Sequence, residues 1–180
     1  MADPARHVRR YGVAVEVPEP AAAALAAARR GSGDPAADHM PPHVTLVPPV
    51  SVTAPVGEVE QVLRAGAAQV QPFTVHLRGT GTFRPVSEVV FVAVAAGIAD
   101  LERLAAAVRR SPLDPPRRFP YHPHVTVAQD VAGEELDAVF DKLADFDTDF
   151  VVTSVRLYEH ADPAAPTGQR WFPVLDLPLG

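Results

Sequence analysis

The residues that point most directly to chemistry are two histidines and two threonines in matching settings. The tetrapeptide Pro-His-Val-Thr occupies residues 42–45 and again residues 123–126 of a 180-residue chain. Each copy runs on into apolar residues. Two imidazoles and two hydroxyls in the same local pattern indicate one site with approximate two-fold symmetry.

Strand geometry explains how each copy can present both polar groups together. In an extended strand, residues i and i+2 point to the same face and lie about 6.6–7 Å apart. His43 and Thr45 therefore share one face, as do His124 and Thr126, while the intervening apolar residues lie on the other. If a pseudo-dyad relates the two halves of the chain, both pairs face one cleft.

Such a cleft suits phosphodiester chemistry. Histidine titrates near physiological pH, so a neutral imidazole can take a proton from the nucleophile while a protonated one gives a proton to the leaving group. Threonine hydroxyls can donate hydrogen bonds to the non-bridging oxygens of a phosphate. The four side chains together predict in-line cleavage without a metal ion.

The elements that must position these residues follow the same order twice: strand, helix, motif strand, helix, strand. This order predicts an α+β fold in which two similar halves, approximately 10–80 and 88–160, form one bilobal domain over 1–180 with mainly antiparallel sheets. Besides the second motif strand, hydrophobic periodicity predicts strands over 11–17, 43–47, 73–77, 89–94, 150–158 and 171–177, and helices over 20–30, 56–69, 98–110 and 134–143.

Proline and glycine mark the predicted boundaries. Pro48 and Pro49 should end the first motif strand, because proline cannot donate a backbone hydrogen bond to the ladder. The sequence Gly-Ser-Gly-Asp from residue 31 should stop the first helix. Gly79 and Gly81 indicate bulges or a turn. The loops before each motif, 34–42 and 111–123, are long enough to line a site.

Composition narrows the function further. The formal net charge is -6, so long-range attraction to a polyanion is lacking and a small substrate is favoured over long RNA. Cysteine is absent, which excludes thiolate chemistry. No apolar run is long enough to span a bilayer, and residues 1–10 are not followed by the apolar segment of a signal peptide. We therefore expect a cytoplasmic protein that does not bind membranes.

The paired motifs resemble those of the two-histidine (2H) phosphoesterase superfamily, in particular the 2'-5' RNA ligase-like proteins, also described as RNA 2',3'-cyclic phosphodiesterases. The lead-in at 119–124 and the stretch at 79–85 are also similar to that family. The resemblance covers nearly the whole chain. It implies a bilobal fold with a central cleft, His43 and His124 as acid and base, and Thr45 and Thr126 as phosphate-binding groups. We expect no cofactor.

Several members of that family carry a basic residue three positions after the second threonine, where this chain has Gln129. Positive charge for a phosphate would then come from elsewhere, and Arg84 and Arg118 are candidates, as are Arg117 and Arg170. Tyr121 and Trp171 are candidates for stacking on a nucleobase; the alternative for both is a place in the core or at the rim of the site.

Three other interpretations remain open. The protein can be a non-catalytic binder of nucleotides or RNA ends, or it can join RNA ends in a 2',5' linkage, which is the reverse of the same displacement. His122 and His124 are two residues apart, a spacing that can bind a metal, but no carboxylate or cysteine accompanies them at ligand spacing. We therefore expect no metal site, and no protein partner can be read from the sequence.

Overall fold

The structure, a computed structural model, describes residues 8–161 and 170–180. Most of the first residues, on which the signal-peptide expectation partly rests, lie outside the described ranges. The described part of the chain forms eight strands and four helices. In chain order they are β1 (Arg9–Glu16), α1 (Ala21–Gly31), β2 (His43–Val52), α2 (Val56–Ala67), β3 (Phe73–Thr82), β4 (Val89–Ala96), α3 (Ile98–Val108), β5 (His124–Gln129), α4 (Gly133–Lys142), β6 (Asp147–Val152), β7 (Ser154–His160) and β8 (Trp171–Pro178).

The strands form two four-stranded antiparallel sheets, in the orders β2-β1-β7-β8 and β5-β4-β3-β6. The predicted α+β fold with mainly antiparallel sheets is confirmed. In both sheets the motif strand lies at an edge, next to the strand that precedes it in the chain. The edges formed by β2 and β5 lie against each other, so the two motif strands meet where the lobes join.

The sheets exchange strands between the two halves of the chain. β3 follows the first motif strand in sequence but pairs with β4, in the sheet of the second motif strand. β7 follows the second motif strand but pairs with β1, in the sheet of the first. The predicted single strand over 150–158 is therefore wrong: it is divided at Thr153, and the chain passes there from one sheet to the other.

The first motif strand also continues beyond its predicted end. Pro48 and Pro49 lie inside β2, which runs on to Val52. An edge strand has one side without a ladder partner, so the missing backbone donors are tolerated there. The pairing with β1 shifts register between Tyr11 and Val13, opposite these prolines, and this bulge absorbs the irregularity.

Other boundaries follow the sequence more closely. The first helix ends as predicted, and Gly33, just beyond its cap, adopts φ +77°, a left-handed conformation that glycine takes at little cost. In β3 the register shifts between Leu77 and Thr80, around Gly79 with φ +65°, so the bulge expected there is present.

One cluster of buried apolar side chains connects both sheets with the helices. Helices α2 and α3 pack against each other, and their backbones come close at Gly66, where an added Cβ would lie 2.6 Å from the carbonyl oxygen of Ala107. None of the helices in the described ranges is long and apolar enough to cross a membrane.

Candidate active site

The alternation predicted for the motif strands is present in both copies. Val44 and Leu46 on β2 are fully buried, as are Val125 and Val127 on β5. The histidines and threonines between them are half-buried. Each motif strand therefore fixes itself to the core through one face and presents imidazole and hydroxyl on the other.

The two imidazoles are held in the same way. His43 Nδ1 lies 2.9 Å from the carbonyl oxygen of Pro41, and His124 Nδ1 lies 2.7 Å from the carbonyl oxygen of His122. A carbonyl can only accept, so Nδ1 carries the proton in each ring and Nε2 of the neutral ring is left with its lone pair. Both rings thus have the tautomer in which Nε2 can accept a proton.

Aromatic rings stand beside each imidazole. The ring of Trp171 lies 5.9 Å from that of His43, and the rings of Phe83 and Phe91 lie 4.9 and 5.2 Å from that of His124. These neighbours limit the water that can solvate a charged imidazole, which lowers the pKa of a histidine.

The pKa of His43 is lowered to about 4, mainly by desolvation. The hydrogen bond to Pro41 opposes this shift, whereas the charges of Arg29 and His124 add to it. Desolvation also lowers the pKa of His124, with the hydrogen bond to His122 raising it and the charge of His122 lowering it. In the free protein, His43 is therefore neutral throughout the physiological range.

A cavity of about 240 Å³ contains half of the predicted site residues. It brings together His43, Thr45, Thr126 and Trp171, with Gln129 also on its wall. His124 is not a lining residue of this cavity, but it is near enough for its charge to lower the pKa of His43. Among the described lining residues none is acidic; the others are Arg29, Ala36, His39, Met40, Pro49 and His160.

The remaining predicted residues lie off the cavity wall. Tyr121 donates its hydroxyl to the carbonyl oxygen of Thr45 at 3.0 Å, which ties the second long loop to the first motif strand; burial raises the pKa of this tyrosine. The guanidinium of Arg84 is paired with Asp137 at 2.6 Å. Arg118 is exposed, with its guanidinium 5.7 Å from the ring of Phe119.

Sequence reasoning missed the arginine on the cavity wall, Arg29 on α1. Its Nε donates to Asp34 Oδ2 at 2.8 Å, and both side chains are buried. A signal was present in the sequence: Ala22, Leu25 and Arg29 lie on one face of an alanine-rich helix, and an arginine on a buried face is rarely without a specific partner.

A second cavity, of about 190 Å³, is lined by parts of β1, β6, β7 and β8. Its charges are paired with each other: Arg156 lies 2.7 Å from Glu16 and 3.3 Å from Asp176. Within the described ranges, no group of three or more histidine, aspartate or glutamate side chains is arranged to hold a metal ion. The cavity next to the paired motifs is therefore the candidate active site.

The two-lobed fold and the paired His-x-Thr strands at its junction define a 2H phosphoesterase. The chain belongs to the 2'-5' RNA ligase superfamily, whose family model matches residues 17–164. It is 30% identical over 135 residues to a Bacillus pumilus protein named "Putative phosphoesterase", an alignment that covers 74% of this chain and 78% of the relative.

Solved structures show the same fold. Escherichia coli LigT in its apo form is 25% identical, with a TM-score of 0.66 over 96% of this chain and 98% of LigT. LigT complexed with ATP is 26% identical, with a TM-score of 0.63 over 96% and 99% of the two chains. LigT has also been solved in complex with 3'-AMP, NADP+ and phosphate.

Proposed function

We propose that this protein is a metal-independent phosphoesterase that opens a 2',3'-cyclic phosphate or a 2'-linked phosphodiester in RNA ends or small nucleotides, in the cytoplasm. The observation that carries the proposal is the identical tether of the two imidazoles, Nδ1 to the carbonyl oxygen two residues earlier. This tether gives two Nε2 atoms of the same tautomer, one on each motif strand, next to two threonine hydroxyls.

The reaction needs one proton acceptor and one proton donor. His43, with its pKa near 4, is neutral and acts as the base: its Nε2 takes a proton from water as the water oxygen forms a bond to phosphorus. The bond from phosphorus to the ribose oxygen breaks, and the protonated Nε2 of His124 gives its proton to that oxygen. The product is a phosphomonoester beside a free ribose hydroxyl.

The substrate itself helps to set these protonation states. A phosphodiester brings a negative charge into a cleft in which burial has lowered the pKa values of both histidines. An adjacent negative charge stabilises imidazolium and raises these pKa values. Binding therefore promotes protonation of His124, while Thr45 and Thr126 donate to the non-bridging oxygens.

Nucleotides are the favoured substrate class. LigT has been solved with nucleotides bound, and the cavity described above has Trp171 on its wall as a flat surface for a base. The acidic net charge of -6 favours a small nucleotide or a short RNA end over long RNA.

The decisive assay is turnover of adenosine 2',3'-cyclic monophosphate and of a 2',5'-linked dinucleotide. His43→Ala and His124→Ala should each lose about 10²–10⁴-fold in kcat, with a bell-shaped pH profile in the wild type and no effect of chelators. His76→Ala is the control, because His76 lies on β3 and pairs with Asp147 at 2.9 Å. If His124→Ala turns over both substrates as fast as the wild type, the mechanism is wrong.

A non-catalytic nucleotide-binding role is the second candidate, favoured by the nucleotide complexes of LigT. Tight binding of 2'-phosphorylated nucleotides without turnover of either substrate would establish it and overturn hydrolysis.

Ligation uses the same displacement in reverse, so incubation of RNA ends that carry a cyclic phosphate and a 5'-hydroxyl distinguishes it by the appearance of a joined product.

A further inference from the structure

Arg29 is a buried cation on the wall of the candidate active site. It lies in the last turn of α1, is only 6% exposed, and lines the cavity with His43, Thr45 and Thr126. Among the described residues on that wall, Arg29 alone carries a permanent positive charge. The imidazole of His43 does not provide one, because it is neutral at physiological pH.

The guanidinium is held by a carboxylate that is itself fixed. Asp34 has no exposed side-chain surface and accepts three hydrogen bonds: from Arg29 Nε at 2.8 Å, from the backbone N–H of Ala36 at 2.8 Å and from the backbone N–H of Gln129 at 3.1 Å. A carboxylate with three donors has little freedom to move, so it fixes the plane of the guanidinium.

The other edge of the guanidinium remains for a ligand. Arginine presents its donors as a rigid fork, and Asp34 uses only Nε. Within the described ranges, the two terminal nitrogens have no protein partner, and they are not among the buried side-chain atoms that lack one. The Arg29 side chain is 8% exposed and lines the cavity, so its remaining exposed surface faces the cavity.

The placement also links the two lobes. Helix α1 packs against β5, and Asp34 bonds both Arg29 and the backbone of Gln129. The arginine fork is thus anchored at the end of the second motif strand, although it comes from the first half of the chain. Gln129, a neutral residue, contributes its backbone N–H to this anchor.

We propose that Arg29 is the phosphate-binding cation of this site, with its terminal nitrogens donating to non-bridging oxygens of the bound phosphate, and that Asp34 is its positioning residue. The proposal rests on the proposed function for the identity of the ligand. It makes the site selective for a nucleotide that bears a phosphate, because the charged guanidinium binds an anion and has no comparable interaction with an uncharged nucleoside.

The test measures binding separately from turnover. Calorimetry with adenosine 2'-monophosphate should show a Kd about 10–100-fold higher for Arg29→Met than for the wild type, as expected for loss of a charge-assisted pair. Weak binding of adenosine should be unchanged. Arg30→Met is the matched control: Arg30 is the next residue on α1, with an exposed side chain paired to Asp38 at 3.4 Å, and its Kd should equal that of the wild type.

A second variant guards against loss of the fold. Arg29→Met leaves the buried Asp34 without its cation, so Arg29→Met combined with Asp34→Asn removes both charges together. It should show the same loss of adenosine 2'-monophosphate affinity with a cooperative unfolding transition. If the double variant binds this nucleotide within two-fold of the wild type, or if Arg30→Met weakens binding as much as Arg29→Met, the assignment of Arg29 is wrong.

The outcome also separates this proposal from the proposed reaction. If the wild type turns over substrate and Arg29→Met does so with the same KM and kcat, the role of Arg29 is overturned and the proposed reaction is unaffected. Loss of phosphate affinity in Arg29→Met, together with absence of turnover in the wild type, overturns the reaction and leaves Arg29 as the anion-binding residue of a nucleotide-binding protein.

Discussion

Titration of His43 should make a large contribution to the pH dependence of folding. In the folded chain the pKa of His43 is lowered from 6.5 to about 4, whereas in the unfolded chain it returns to its ordinary value. Between these two pH values the unfolded state binds a proton that the folded state does not. The free energy of unfolding therefore rises with pH through this window, and the contribution is lost as pH falls below 6.5.

The size of the effect follows from the two pKa values. A fall from 6.5 to about 4 corresponds to at most about 3–4 kcal/mol, at about 1.36 kcal/mol for each tenfold change in proton affinity. At pH 4.5, which is above the pKa of His43 in the folded chain, only part of this free energy has been lost. Water also reaches part of the half-buried ring, which reduces the effect further. We therefore expect His43 to account for about 2 kcal/mol of the stability lost between pH 7.5 and pH 4.5.

The assay is urea unfolding of the wild type and of His43→Gln at both pH values. Titrating carboxylates contribute equally to the two proteins and cancel, so the pH-dependent loss should be about 2 kcal/mol smaller in His43→Gln. Glutamine at position 43 has no titrating group, so the double difference is specific to the imidazole. Equal losses in the two proteins would refute the buried, neutral state assigned to His43.

Four variants, three at glycines and one at a tyrosine, test local packing. Gly66→Ala should destabilise the fold by about 1–3 kcal/mol, because its Cβ would lie 2.6 Å from the backbone of α3. Gly57→Ala on the same helix meets nothing within 4 Å and should stabilise the fold by up to about 1 kcal/mol. Urea midpoints that move in the same direction in both variants would contradict this. Tyr121→Phe removes the bond to the first motif strand and should cost about 1 kcal/mol, so an unchanged midpoint counts against that bond. Gly12→Ala would place a Cβ 2.5 Å from the ring of Trp171, so the emission of this single tryptophan should shift and nucleotide affinity should fall. A shifted emission with unchanged affinity would exclude Trp171 from binding.

Local patterns in the sequence were sufficient to predict the presentation of the motifs. The period of two in a strand places Val44 and Val125 in the core and their polar neighbours on the open face, and the structure confirms this. The helices were also predicted to within a few residues, because their apolar residues recur at helical spacing. The internal repeat over 10–80 and 88–160 stays a prediction.

Strand ends were harder to predict because they depend on neighbours in the sheet. Pro48 and Pro49 do not end β2, since an edge strand tolerates residues without a backbone donor. The hydrophobic run at 150–158 gives no sign that Thr153 divides it between two sheets. Pairing partners decide both cases, and periodicity within one segment carries no information about them.

The sequence by itself determined which groups each motif presents, because residue type and a two-residue period are enough to place an imidazole beside a hydroxyl in each motif. Only the tertiary structure decided what surrounds them. Asp34 and Gln129 are 95 positions apart yet share a hydrogen bond, and the packing of α1 against β5 brings Arg29 to the cavity wall. Contacts of this kind depend on how helices and sheets pack together, so no local pattern could have placed the arginine beside the histidines.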